Sequence, residues 1–127
     1  MNASSVEFPA DFTVLIVEDN ALIALDCQDI LLDFGVPRVE IAATTGAAAS
    51  VLASTPIHAA FLDLRLGNET SHRIADQLRS NEIPFCFATG SSDPKDIPAR
   101  YALAEVLQKP FTAEQFTGAL LRMSLGG

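Results

Sequence analysis

Short, almost continuous apolar runs and helix-patterned stretches alternate five times along this chain, which restricts the fold more than any other feature of the sequence. Phe12 to Glu18 reads FTVLIVE, a run rich in β-branched residues of the kind found in strands buried on both faces. Asn20 follows as a helix cap, and Ile23, Cys27, Ile30, Leu31 and Phe34 share one helical face that Gly35 ends. Arg38 to Ala42 is a second strand, and an Ala-rich helix runs from Thr44 or Thr45 to Ser54 ahead of Pro56. His58 to Leu64 is the third strand, with its apolar run ending at Asp63, and Glu69 to Ser80 the third helix, with Ile74 and Leu78 on one face. Pro84 to Ala88 is the fourth strand, since Pro is tolerated at the first strand position. Asp93 to Tyr101 should hold a fourth helix, but Pro94 and Pro98 predict a short, distorted or mobile one. Glu105 to Gln108 is the fifth strand, and Thr112 with Gln115 forms a capping box opening a last helix with Phe116, Leu120 and Met123 inward. Leu125 to Gly127 reads as a frayed end.

Five successive strand–helix units predict an α/β fold, a doubly wound parallel sheet with helices on both faces. The length of 127 residues suits a single domain, with its core over about residues 12–124. Sixteen acidic against eight basic residues give a net charge of −8, which disfavours nucleic acid and anionic membrane as partners and favours cations. Cys27 and Cys86 are too few for a disulfide scaffold or a Cys-rich zinc site and read as buried, reduced thiols. No apolar run has the ~18 residues of a membrane span, and Met1 to Asp11 lacks the basic start of a signal peptide, so the expected location is cytoplasmic.

In sheets of this kind ligands sit beyond the carboxyl ends of the strands. Those ends carry Glu18 and Asp19 on the first strand, Asp63 on the third, Thr89 on the fourth, and Lys109 with Pro110 on the fifth. Three carboxylates converging on one cleft repel strongly, and a hard divalent cation such as Mg²⁺ offsets that repulsion. A carboxylate beside Mg²⁺, a lysine and a hydroxyl makes a phosphoryl-accepting site. Asp63 is then the nucleophile and needs no general base, because a carboxylate is already ionised at neutral pH. Lys109 and the metal supply positive charge, and the Thr89 hydroxyl supplies a hydrogen bond.

With these residues in this order, the chain resembles the receiver domain of bacterial two-component response regulators over about Phe12 to Met123. The resemblance implies a flavodoxin-like (βα)₅ fold with strand order 2-1-3-4-5. It implies that Asp19, Asp63 and the backbone carbonyl of Arg65 bind Mg²⁺ with Glu18 acting through water, and that the Lys109–Pro110 peptide is cis. Pro84 to Gly90, PFCFATG, also resembles the core of the alphaproteobacterial FAT GUY receivers, which often act as stand-alone regulators with HWE-type histidine kinases in general stress signalling. The segment LDLRLGN after the third strand resembles receivers paired with the same kinase class.

Departures from that family pattern are informative. The usual receiver has Tyr or Phe three residues before the fifth-strand lysine, where this chain has Val106. The FAT GUY motif continues to a tyrosine, where this chain has Ser91 and Ser92. Tyr101, the sole tyrosine, either packs or substitutes for the missing aromatic. Arg65, two residues beyond Asp63, either reaches the phosphoryl group or stands in solvent. His58 reads as structural and His72 as exposed, and their spacing does not make a metal pair.

The leading expectation is a single-domain response regulator phosphorylated on Asp63 by a histidine kinase. Only about four residues follow the last expected helix, so output is expected through a downstream protein or a phosphotransferase relay. The alternative is a receiver-like interaction module that works without phosphorylation. An aspartyl-phosphate phosphatase would need a second Asp near the nucleophile, and position 65 is arginine. Nucleotide binding is disfavoured by the lack of a Walker A or GxGxxG loop.

Overall fold

A computed structural model describes residues 7–90, 97–101 and 104–126 of the chain, with no account of the side chains of 125 and 126. Strands β1 (Thr13–Val17), β2 (Arg38–Ala42) and β3 (Ala59–Asp63) alternate with helices α1 (Ala21–Phe34) and α2 (Thr45–Ser54). Two short strands, β4 (Arg65–Leu66) and β5 (Glu69–Thr70), precede helix α3 (His72–Ser80). Strand β6 (Phe85–Thr89), a 3₁₀ turn at Ala99–Tyr101, strand β7 (Glu105–Gln108) and helix α4 (Ala113–Gly126) complete the order. The five long strands form one parallel sheet in the order β2-β1-β3-β6-β7. This is the expected flavodoxin-like doubly wound arrangement, with β6 and β7 as the fourth and fifth units.

Strand β1 is buried at every position because both faces of the sheet are covered. Alternate residues enter two separate cores. Val14, Ile16, Phe61, Cys86 and Leu107 meet Cys27, Leu31, Phe116 and Leu120 from α1 and α4. Leu15, Val17, Leu62 and Phe87 meet Ala48, Ile74, Leu78 and Tyr101 on the other side. Burial pushes the Cys27 thiol up to about 11 and the Cys86 thiol up to about 12, so both are inert core groups at neutral pH.

Local signals set the helix ends. The Asn20 side chain accepts from the Leu22 and Ile23 N–H groups at 3.0 and 3.2 Å. Thr44 caps α2 through Ala47 N–H at 3.0 Å. Thr112 and Gln115 bond reciprocally at 2.8 and 3.1 Å, as a capping box requires. His58 is structural: its Nδ1 accepts the Thr13 N–H at 3.0 Å and its ring stacks on Phe12.

Three local expectations need correction. The third helix starts at His72 rather than near Glu69, because residues 65–70 fold into a small antiparallel hairpin turning at Gly67, φ 64°. His72, at the start of that helix, is half-buried rather than exposed. The fourth helix, expected to be short and distorted, agrees in its described part: a single 3₁₀ turn closed by Tyr101 N–H on Pro98 O at 2.8 Å, while 91–96, with Ser91 and Ser92, lie outside the described residues. The C-terminal end is helical through Gly126 rather than frayed from Leu125.

Gly35 ends α1 at φ 109°, and the next N–H, that of Val36, closes on Leu31 O at 3.0 Å. An L-residue is strained there by about 1–2 kcal/mol. Gly35→Ala is therefore expected to lower unfolding stability by about that amount in urea titration, and an unchanged midpoint would refute the cap assignment.

Candidate functional site

The carboxyl ends of β1, β3, β6 and β7 open on one cleft, because those strands are neighbours in the sheet and run the same way. Glu18 follows β1 and is nearly enclosed, with 5% of its side chain exposed. Its Oε2 accepts the Asn20 N–H at 3.1 Å, so the residue that caps α1 also orients this carboxylate. Asp19 is exposed, and its Oδ2 accepts the Gly67 N–H at 2.8 Å. Asp63, the last residue of β3, accepts the Arg65 N–H at 3.3 Å on Oδ1.

Lys109 joins the two sides of the cleft. Its Nζ donates to Glu18 Oε1 at 2.5 Å and to Asp63 Oδ2 at 3.0 Å. Its own N–H donates to Thr89 O at 2.8 Å, which docks the end of β7 on the end of β6. The Lys109–Pro110 peptide is cis. Thr89 is 4% exposed at the end of β6.

Burial holds the Glu18 carboxyl above the ordinary glutamate value, against the opposing hydrogen bonds from Lys109 and the Asn20 N–H. Burial works to lower Lys109, yet its bonds to Glu18 and Asp63 prevail and hold it above the usual lysine value. Lys109 is therefore a cation throughout the neutral range. Its stabilising share is complete below the ordinary lysine value and is lost as alkaline pH rises through the raised folded one.

One cation cannot balance three carboxylates. Glu18, Asp19 and Asp63 each present an oxygen within 4.8 Å of the others. That all-oxygen set suits a hard divalent cation, with Asp19 reachable from solvent and one oxygen of Glu18 already held by Lys109. Sequence reasoning thus named a group of residues that the fold brings together: Glu18 and Asp63 meet on Lys109, Asp19 lies within 4.8 Å of both carboxylates, and Thr89 meets Lys109 through its backbone. Arg65 is exposed in the hairpin and touches Asp63 through its N–H. Val106 is 37% exposed, and no aromatic residue stands in β7.

The supporting contacts were not legible in the same way. The Gly67–Asp19 bond ties the hairpin to the acidic cluster, and Glu69 ties it to α2 by accepting from Thr45 N–H and Oγ1 at 3.3 and 3.1 Å. The only signal for either was the turn-forming Leu66-Gly67-Asn68. A second missed group sits away from the cleft, where Arg100 pairs with Asp76 through two bonds of 2.9 Å and the Tyr101 hydroxyl donates to the same carboxylate.

Comparison with known proteins agrees with this geometry. The family model described as "Response regulator receiver domain" matches residues 14–121. The solution structure of SdrG from Sphingomonas melonis Fr1 is 38% identical, covers 92% of this chain and 99% of its own, and superposes with a TM-score of 0.75. The BeF3-activated conformation of SdrG from Pseudomonas melonis Fr1 is also 38% identical, with coverage of 90% and 99% and a TM-score of 0.73. The non-phosphorylated HemR receiver domain from Leptospira biflexa is 26% identical, with coverage of 88% and 93% and a TM-score of 0.74. No curated protein matches the chain.

Asp19→Asn keeps the acceptor for Gly67 and removes one of the crowded charges. In chelator at low salt it is expected to raise the urea midpoint, through a gain in unfolding free energy of less than about 1 kcal/mol because Asp19 is exposed. A lower midpoint would show that repulsion does not govern this cluster.

Proposed function

Because the chain belongs to the family of response regulator receiver domains, we propose that Asp63 accepts a phosphoryl group from a phosphohistidine of a histidine kinase and that the conformation so selected is the signal. The observation that carries this reading is Lys109 Nζ held between Glu18 and Asp63 at 2.5 and 3.0 Å. A carboxylate oxygen of Asp63 attacks phosphorus in line, the phosphorus–nitrogen bond to the donor imidazole breaks with its electron pair returning to that nitrogen, and the ring, already protonated on its other nitrogen, leaves as neutral imidazole. Lys109 and the hydroxyl of Thr89 meet the equatorial oxygens. Asp19, Asp63 and the Arg65 carbonyl, with Glu18 through water, would hold a Mg²⁺, which supplies the remaining positive charge. The phosphoryl group adds about −1.5 to −2 charge to the cleft, and that charge biases the surface beyond β6 and β7 between two states.

The receiver unit in this reading spans about residues 12–124, acts on itself rather than as an enzyme, and works in the cytoplasm. Among the described residues no helix is long and apolar enough to cross a membrane. PFCFATG at 84–90 supports placing the chain among FAT GUY receivers with an HWE-type kinase. The outer face of α1 supports a helical donor. Leu22, Leu25 and Leu32 are 79, 51 and 46% exposed at the spacing of a coiled-coil seam that Asp29 completes. The helix has no basic residue, and beside it a groove of about 400 Å³ runs from Ile23 and Asp26 to Lys109 and Phe111. Such a face suits helices carrying leucines among lysines or arginines.

Val106 favours a second reading, an interaction module without phosphorylation. Mg²⁺-dependent beryllofluoride binding separates the two. The phosphoacceptor reading requires saturable binding, lost in Asp63→Asn, and transfer of label from phosphorylated kinase to wild type only. Labelled Asp63→Asn would defeat it. Leu25→Glu is expected to slow transfer from the kinase about tenfold, a loss of about 1.4 kcal/mol. Labelling by acetyl phosphate should be unchanged, and equal losses with both donors would remove α1 from the docking surface.

A further inference from the structure

Phe85, Phe87 and Thr89 alternate onto one face of β6, so the switch hydroxyl continues a column of aromatic rings. In the parallel register Phe87 stands beside Val106 of β7. Val106 is 37% exposed, yet Phe87 is fully buried. Part of the cover comes from Tyr101, 3% exposed, whose ring meets Phe85 and Phe87 edge-on at 5.5 and 5.8 Å.

Polar ties at the surface hold that ring in place. Its hydroxyl donates to Asp76, which also takes the two Arg100 bonds of 2.9 Å. The Arg79 and Arg100 guanidinium groups each lie 5.1 Å from the ring centroid. Arg79 donates to Arg100 O at 3.0 Å and so fastens the 3₁₀ turn to α3. Asp76 and Arg100 are each about half exposed, at 49 and 50%, and ion pairs in such positions hold weakly. Tyr101 is thus a buried aromatic whose polar ties lie at the exposed edge of the core.

We propose that Tyr101 is the aromatic that reads the state of Thr89, acting through Phe87, in place of the residue that is valine at 106, and that the Asp76–Arg100 pair latches it in the unphosphorylated state. The proposal rests on Asp63 being the phosphoacceptor. Tyr101 touches no reacting atom and is a positioning residue. When Thr89 is drawn toward the phosphoryl oxygens, the packing at Phe87 changes, the latch opens, and the groove of about 480 Å³ between Arg79, Phe85 and Ala104 changes shape at the surface.

The chain has one tyrosine and no tryptophan, so its intrinsic fluorescence reports this residue alone. Acrylamide quenching is followed while Mg²⁺ and beryllofluoride are added, with ligand occupancy read separately by fluorine NMR. Quenching is expected to rise in step with occupancy in the wild type. In Thr89→Ala, brought to the same occupancy, it is expected to stay at its ligand-free value. Asp76→Asn, which weakens the latch and keeps its shape, should raise quenching without ligand and tighten beryllofluoride binding by about two- to fivefold. Full occupancy with unchanged quenching in the wild type overturns the proposal and leaves the phosphoacceptor reading intact. So does an equal rise in Thr89→Ala, or an Asp76→Asn variant with unaltered affinity. No fluorine signal at any concentration overturns both.

Discussion

Lys109 between Glu18 and Asp63 is the interaction on which the rest of this molecule depends. Each carboxylate comes from a different strand, and the lysine from a third, so the contact exists only when the sheet is complete. One cation against three carboxylates leaves the cluster short of positive charge. That deficit is the source of its chemistry, because whatever enters next must be a cation or must bring one. In the proposed reading, a phosphoryl group with a divalent ion would meet both the lysine and the acids at once.

The sheet explains why these groups converge. Parallel strands buried on both faces must be apolar at every interior position, so chemistry is confined to their ends. Here the two cores divide the strand residues by parity, and the charged residues of the cleft lie at the carboxyl ends of the strands: Glu18 after Val17, Asp63 at the end of β3, Lys109 after Gln108. The caps serve the same arrangement. Asn20 starts α1 and aims Glu18, and Gly67 turns the hairpin and presents its N–H to Asp19.

A feature of this chain is the way its aromatic residues are distributed. A valine at 106 leaves the outer strand without a ring, while Phe85, Phe87 and Tyr101 form a cluster at the opposite end of the same face from the acidic cleft. The ties around Tyr101 are ionic and exposed, in contrast to the packed aliphatic contacts that surround Ile74 and Leu78. The molecule therefore combines a sheet buried on both faces with a turn tied to α3 by polar contacts at the surface.

Alternation of buried runs with helical stretches determined the fold class from the sequence alone, because burying a parallel sheet demands that pattern. The acidic pair, Asp63, Thr89 and Lys109 were readable because each directly follows or ends such a run. Only the tertiary structure decided what depends on contacts between residues distant along the chain. The hairpin at 65–70 took Glu69 and Thr70 out of the expected helix because Asp19 and Thr45, 48 and 24 residues from their partners, bind it. Tyr101 became a core residue because Asp76, 25 residues earlier, takes its hydroxyl. Periodicity reports local burial, whereas hydrogen bonds between remote side chains leave no trace in it, and so the scaffold was legible while its fastenings were not.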